Sequence, residues 1–354
     1  MRILLIAGTY PPGHCGIGDY TVQLAQSLST LPQYLIGILS ASQAPESINA
    51  IDIIQTEGDW KLISLFRMLR GVSKWKPDWV HIQYPSKAYS QKILPLILPL
   101  LLRAIGIKVI VTLHEAYGWR YFYHFVFLTL PAHKIIFVRS NYLNLIPSIF
   151  ARYLKFKKFR IISNASSLPL SKMTIEEKKA LRENFLVGKR RLLVFFGFVY
   201  PNKGVELLFQ VMNPQSDQLV IAGEVPQLDY RMHLNKVSEE NGVLNAVTFT
   251  GFISKINAAN LLACADAVIL PFIEGAGEWN TSVHGARAQG SLVITTAVPL
   301  RTHAPDSNMF FVSPGDGAAI KTILSNHAGR KVAPPNVDLN WESIAQAHFD
   351  FYAN

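Results

Sequence analysis

Two successive runs of alternating strands and helices predict an α/β protein built from two doubly wound domains. Three observations carry that expectation. Segments such as RILLIA (2–7), KVIVTL (108–113) and LLVFFG (192–197) are apolar on both faces, as are strands of a parallel sheet covered by helices. Stretches of helical periodicity separate them, the mark of βα units. The chain has 354 residues, of which 49% are hydrophobic and only 16% charged, enough for two cores and too apolar for disorder.

In the first half, strands are expected at 2–8, 34–40, 51–55, 79–84, 108–113, 134–139 and 160–163, and helices at 18–30, 59–73, 88–105, 120–130 and 141–153. In the second half, strands are expected at 191–198, 217–223, 246–251, 267–272, 292–296 and 309–313, and helices at 203–212, 227–241, 256–264, 281–289 and 316–328. Polar and charged residues replace strands over 164–188, so the domains are expected at 1–165 and 166–335. After Pro334-Pro335, the segment 336–354 holds an amphipathic helix, Trp341 to Tyr352. Repeats and low-complexity segments are absent from the sequence.

Composition narrows the class further. Cys15 and Cys264 lie far apart, which suits reduced thiols in the cytoplasm better than a disulfide framework. Met1-Arg2 leads straight into a strand, so no leader segment is expected. The longest apolar run, Ile93 to Leu102, has ten residues and two prolines, too short to span a bilayer. Charge is uneven: residues 1–165 carry 18 Lys and Arg against 7 Asp and Glu, whereas 166–354 carry 16 against 17. A basic first half can face nucleic acid, an anionic membrane or a phosphorylated substrate.

The most informative stretch is PFIEGAGEWNTSVHGARAQGSLVITT, Pro271 to Thr296. A strand runs into a loop with Gly275, Gly277 and two carboxylates, Glu274 and Glu278, then into a helix whose first turn reads Asn280, Thr281, Ser282. Free backbone N–H groups and the positive end of a helix suit a diphosphate there, and carboxylates beside it suit sugar hydroxyls. Together they point to a nucleotide sugar. The loop Gly13 to Tyr20, with Gly16 and Gly18, follows the first strand. Ile38-Leu39-Ser40 supplies no carboxylate for a dinucleotide ribose, so the loop reads either as a tight turn or as a surface that a ligand approaches closely. His114 closes the strand 108–113, where a histidine either caps structure or donates to a sugar oxygen or phosphate. His81, inside a buried-looking strand, reads as structural. Lys203 stands where a helix begins after Gly197-Phe198-Val199-Tyr200 and can reach an anionic ligand, although a loop lysine is more often simply solvated. With no Asp-x-Asp pair and no Cys or His cluster at ligand spacing, no metal is expected.

The ordered set PPxxxGIGDYT, VHIQY, VTLHE, GFVYPNKG, IAGE, FTGFIS, PFIEGAG…GARAQGSLVITT and VSPGD resembles GT-B glycosyltransferases of the family 4 type over nearly the whole length. The resemblance implies two Rossmann-like domains facing a cleft and a last helix crossing back to the first domain. It implies a retaining, metal-independent hexosyltransferase with no cofactor, in which the leaving phosphate helps to deprotonate the acceptor. Gly16 would lie against the donor phosphates, His114 would contact the transferred sugar, and Lys203 would bind the diphosphate. Glu274, beside Gly275, would hold sugar hydroxyls. The amides of Thr281, Ser282 and Val283 would meet the diphosphate, and Gly251-Phe252 would face the base. His114 and Glu274 are thus the catalytic candidates, with Glu278, Asn280 and Arg287 as further ones. The family commonly has an arginine where this chain has Phe198, and a second glutamate where it has Ser282 or Gly285. A subset with an acid–Gly loop and then Ser aligns without a gap, but has two arginines where Trp279 and Asn280 stand. Arg287 and Arg301 are candidate replacements. These departures also admit a nucleotide-sugar epimerase of the same fold, or a non-catalytic partner protein.

Phe150 to Arg160 interleaves five basic residues with four aromatics, and Trp119 to Phe127 is also aromatic. This reads either as a helix covering core aromatics or as a surface for an anionic membrane and a glycan or lipid-linked acceptor. A nucleic-acid partner would leave the Glu274 loop unexplained. The expectation is therefore a cytoplasmic enzyme, peripheral to the inner face of the membrane, in polysaccharide or glycolipid assembly.

Overall fold

A computed structural model of the chain describes residues 1–11, 13, 15–41, 51–55, 60–89, 92–115, 118–277, 279–300, 307–333 and 340–353. They form two compact units, Met1–Ala165 with Asp338–Asn354, and Ser166–Val337.

The first unit is a seven-stranded sheet: β1 (Arg2–Ile6), β2 (Leu35–Ser40), β3 (Ile51–Gln55), β4 (Trp79–Tyr84), β5 (Lys108–Leu113), β6 (Lys134–Phe137) and β7 (Lys158–Ile161). Their spatial order is β3-β2-β1-β4-β5-β6-β7, all parallel. Winding therefore reverses between β1 and β4, the kind of switch point beyond whose strand ends open α/β sheets bind ligands. Helices cover both faces, which is why Ile3, Leu4, Leu5 and Ile6 are all fully buried. The apolar run at 93–102 forms the helix Leu94–Ala104, whose Leu94, Leu98 and Leu102 share one face and enter the core. The expected helix at 141–153 is broken into Tyr142–Leu145 and Ser148–Leu154, because Pro147 cannot continue an α-helix.

The last helix, Trp341–Ala353, packs in this unit against the helix Gly16–Ser29. Its Ile344, Ala345 and Tyr352 join the core that also holds Ile3, Leu5 and Tyr20. Lys134, a buried β6 residue, donates to the carbonyls of Phe351 (2.6 Å) and Tyr352 (3.1 Å). It so satisfies two terminal carbonyls and places a cation at the negative end of the helix.

The second unit holds β8 (Arg191–Phe196), β9 (Asp217–Ala222), β10 (Val247–Gly251), β11 (Ala267–Leu270), β12 (Val293–Thr296) and β13 (Met309–Val312). The order is β10-β9-β8-β11-β12-β13, again parallel, with the reversal between β8 and β11. Every expected strand is present, most with ends shifted by one or two residues. The expected stretch without elements at 164–188 holds a helix, Ile175–Leu186. Its polar surface hides it from periodicity, but Thr174 and Glu177 form a reciprocal capping box, a signal readable in TIEE. Arg182 anchors it by paired hydrogen bonds to Asp266, which also accepts from the Leu192 amide. Replacing Thr174 with Ala should lower stability by about 1 kcal/mol in urea unfolding, and an unchanged midpoint would count against the cap.

Candidate active site

In the second unit the candidate residues gather at the β8/β11 reversal. Three glycines end three adjacent strands in the left-handed half of backbone space: Gly197 (φ 128°), Gly223 (φ 159°) and Gly251 (φ 66°). At Gly223 a Cβ would collide with the carbonyl of Gly197, so bare backbone alone lets these strand ends meet. Half-buried Phe198 follows, its ring 6.4 Å from that of Tyr200.

A short 3-10 turn, Pro201–Lys203, then closes on Gly204. Gly204 has φ 67°, and a Cβ there would stand 2.4 Å from the Pro271 carbonyl oxygen. That close approach brings the turn onto the β11 loop: the Ile273 amide donates to the Asn202 carbonyl, and the Lys203 ammonium lies 4.7 Å from the centre of the Phe272 ring. Two residues beyond Phe272 is exposed Glu274. Gly275 (φ 79°) turns the chain, its amide donating to the Phe272 carbonyl, and Ala276 ties the loop to β12 through the Thr296 carbonyl (2.7 Å).

Asn280 is the N-cap residue of the helix Thr281–Ala288, yet its side chain does not cap it. The Oδ1 accepts instead from the Gly277 amide at 2.8 Å. The first turn, exposed Thr281, half-buried Ser282 and buried Val283, thus starts without a side-chain cap, and Ser282 lies against Gly197. Such a helix start favours an anion. Gly251 and Phe252 (51% exposed) lie two strands away, at the end of β10. Arg287 has a buried Nε without a hydrogen-bond partner among the described residues. Glu278 and Arg301 lie outside the described residues.

His114 and Gly16 belong to the first unit. Gly16 opens the helix Gly16–Ser29, is exposed, and has no atom within 4 Å of where a Cβ would stand. Gly18 is the packed glycine of that loop: a Cβ there would come 2.7 Å from the Thr9 carbonyl oxygen. His114, one residue past β5, is buried, and its amide donates to the Tyr84 carbonyl of β4 (2.8 Å). Its Nε2 lies 2.9 Å from Gln83 Oε1, and the Tyr20 ring meets it edge-on at 4.7 Å. His81 is structural, its Nδ1 2.7 Å from the Tyr352 hydroxyl and its Nε2 2.6 Å from Thr112 Oγ1. Gln83 escaped the sequence reading. A glutamine inside an apolar strand, on the same face as His81, was the signal available, since a buried amide needs partners.

Three imidazoles here are held neutral. Burial, reinforced by His348, brings His114 down to about 3. Burial brings His348 to about 4 and lowers His81 well below 6.5. Their unfolded values lie above their folded ones, so stability is full above pH ~6.5 and lost as pH falls. Between pH 6.5 and 5, above most carboxylate titrations, unfolding free energy should drop by up to ~1.4 kcal/mol per histidine per pH unit. Urea titrations across that window check it, and a flat profile would contradict the neutral cluster.

The comparisons agree with this geometry. Residues 190–326 match the family of group 1 glycosyl transferases. Sucrose-phosphate synthase from Thermosynechococcus elongatus superposes with a TM-score of 0.77 at 19% identity, covering 99% of this chain and 98% of the other. Anabaena HepE, solved with UDP and glucose, gives 0.70 at 16% identity over 100% and 96%. WaaG, a glycosyltransferase involved in lipopolysaccharide biosynthesis, gives 0.64 at 13% identity over 98% and 95%. A search of curated protein sequences found no match. At these identities the solved structures establish the fold, and the sequence match establishes the class of the second domain. The chain therefore has the two-domain GT-B fold, and residues 190–326 of its second domain match the group 1 glycosyl transferases.

Proposed function

We propose that the chain transfers a sugar from a nucleotide sugar, with retention and without a bound metal, to a glycan or lipid-linked acceptor in cell-surface polysaccharide or glycolipid assembly. The observation that carries this reading is the β8/β11 crevice, where Lys203, the Glu274 loop and an uncapped helix start converge. Lys203 and the amides of Thr281 to Val283 meet the developing diphosphate charge. Glu274 takes sugar hydroxyls, Gly251 and Phe252 face the base, and Gly16 leaves room for phosphate. HepE's complex with UDP and glucose supports a nucleoside diphosphate, and WaaG's role in lipopolysaccharide supports a surface acceptor.

The acceptor side is assigned to the first unit. Three of the four aromatics in 150–160 serve the core: Phe150 stacks on Phe125, Tyr153 donates to the Thr129 carbonyl, and Phe159 packs on Phe137. Lys157 and Arg160 donate to backbone carbonyls. Phe156 (88% exposed), Arg152, Lys155 and Lys158 face outward, as do Trp119 (69%) and Tyr123 (68%). Exposed rings among cations suit the headgroup layer of an anionic membrane. Among the described residues no helix is long and apolar enough to cross one. The reading places the enzyme at the cytoplasmic face.

A thermal-shift panel of UDP-, GDP-, ADP- and dTDP-linked sugars, with and without EDTA, should show one base family raising the melting temperature regardless of EDTA. Loss of that shift in EDTA would overturn metal independence. In the matching transfer assay Lys203→Ala and Glu274→Ala should each lose at least about a hundredfold in turnover. Gly16→Ala should weaken donor use at unchanged stability, unlike Gly18→Ala, which should destabilise the fold. Binding to anionic vesicles should weaken with salt and with Phe156→Ser. Phe198 and Ser282, in place of the family's charged residues, favour one second reading: a protein that binds the donor without turning it over, recognised by a thermal shift with no transfer.

A further inference from the structure

The geometry points to Gln83 as the positioning residue that sets the tautomer of His114, turning its Nδ1 into a hydrogen-bond acceptor for a hydroxyl of the transferred sugar. The role toward sugar rests on the proposed function, whereas the tautomer does not.

Gln83, His81 and Thr112 are fully buried, so each polar atom must be matched inside the protein. Gln83 bridges two imidazoles: its Oε1 faces His114 Nε2 at 2.9 Å, and its Nε2 faces His81 Nε2 at 3.2 Å. A carbonyl oxygen only accepts, so His114 carries its proton on Nε2. An amide nitrogen only donates, so His81 Nε2 is an acceptor, receiving from Gln83 and from Thr112 Oγ1. His81 Nδ1–H then donates to the Tyr352 hydroxyl of the last helix. With the Gln83 carbonyl toward His114, the links run one way, from His114 Nε2–H to Gln83 and from the Gln83 amide to His81, so the orientation of the Gln83 amide sets the tautomer of His114.

Neighbours hold the ring in place. The His114 amide is pinned to Tyr84, and Tyr20 packs edge-on against the ring. Tyr20 in turn donates to His348 Nε2 (3.3 Å), because His348 Nδ1–H is committed to the Ile344 carbonyl (2.8 Å). A neutral ring with Nε2–H engaged presents Nδ1 as a lone pair. It can receive a proton-bearing hydroxyl but cannot donate to a phosphate oxygen. This narrows the two roles open to His114 from sequence to the sugar.

The test reads the tautomer directly. In protein labelled with 15N-histidine, long-range 1H–15N correlation should show His114, identified by His114→Asn, with its proton on Nε2. Gln83→Leu should abolish that preference, and Gln83→Glu, which keeps an acceptor, should retain it. A proton on Nδ1 in the native protein, or a tautomer indifferent to Gln83→Leu, overturns the proposal. In the transfer assay, Gln83→Leu should lose about tenfold or more in turnover and Gln83→Glu should recover most of it. Equal losses in both would reduce Gln83 to a packing role. Absence of transfer in the native protein would remove the proposed function while leaving the tautomer result standing.

Discussion

The reversal of winding at one central strand in each sheet is the constraint on which the candidate residues of each unit depend. Right-handed crossovers send the chain to one face of the sheet on one side of that strand and to the other face beyond it. The connections leaving β1 and β4 therefore part, as do those leaving β8 and β11, which is where open α/β sheets bind ligands. In the second unit most candidate donor residues hang from those two strand ends, with Gly251 and Phe252 at the end of β10. The loop after β8 supplies Lys203, and the loop after β11 supplies Glu274 and the helix start. Residues some seventy positions apart in sequence become neighbours because β8 and β11 are hydrogen-bonded partners.

Close backbone approach then refines what topology places. Gly204 against the Pro271 carbonyl, and Gly223 against Gly197, remove side chains where two segments must touch. Asn280 is spent on the Gly277 amide rather than on the helix it precedes, which leaves that helix start without a side-chain cap. Half-buried Phe198 and Ser282 lie beside these strand ends, Ser282 against Gly197.

In the first unit the organising element is a buried polar chain through β4, β5 and the last helix. A helix joined only by apolar contacts could slide. Lys134 on its terminal carbonyls, with Tyr352 and His348 in the histidine network, gives it one position. The same network links the chain terminus to His114 through matched donors and acceptors, at the cost of stability in mild acid.

Much of this was legible in the sequence for a simple reason. Buried parallel strands are short apolar runs, and the loops that follow them carry the chemistry, so all thirteen strands and the Lys203, His114 and Glu274 loops could be read from local pattern. The helix Ile175–Leu186 was missed because it is polar nearly all round, although its capping box was in plain view. The aromatics of 150–160 read either as core or as a surface, and three of the four pack in the core, since spacing does not say which face of a broken helix is covered. Tertiary structure alone decided strand order, the meeting of Lys203 with Phe272, and the pairing of Gln83 with His114. Each of these joins residues from different strands or loops, and hydrogen-bond polarity between them exists only once burial removes water as an alternative partner.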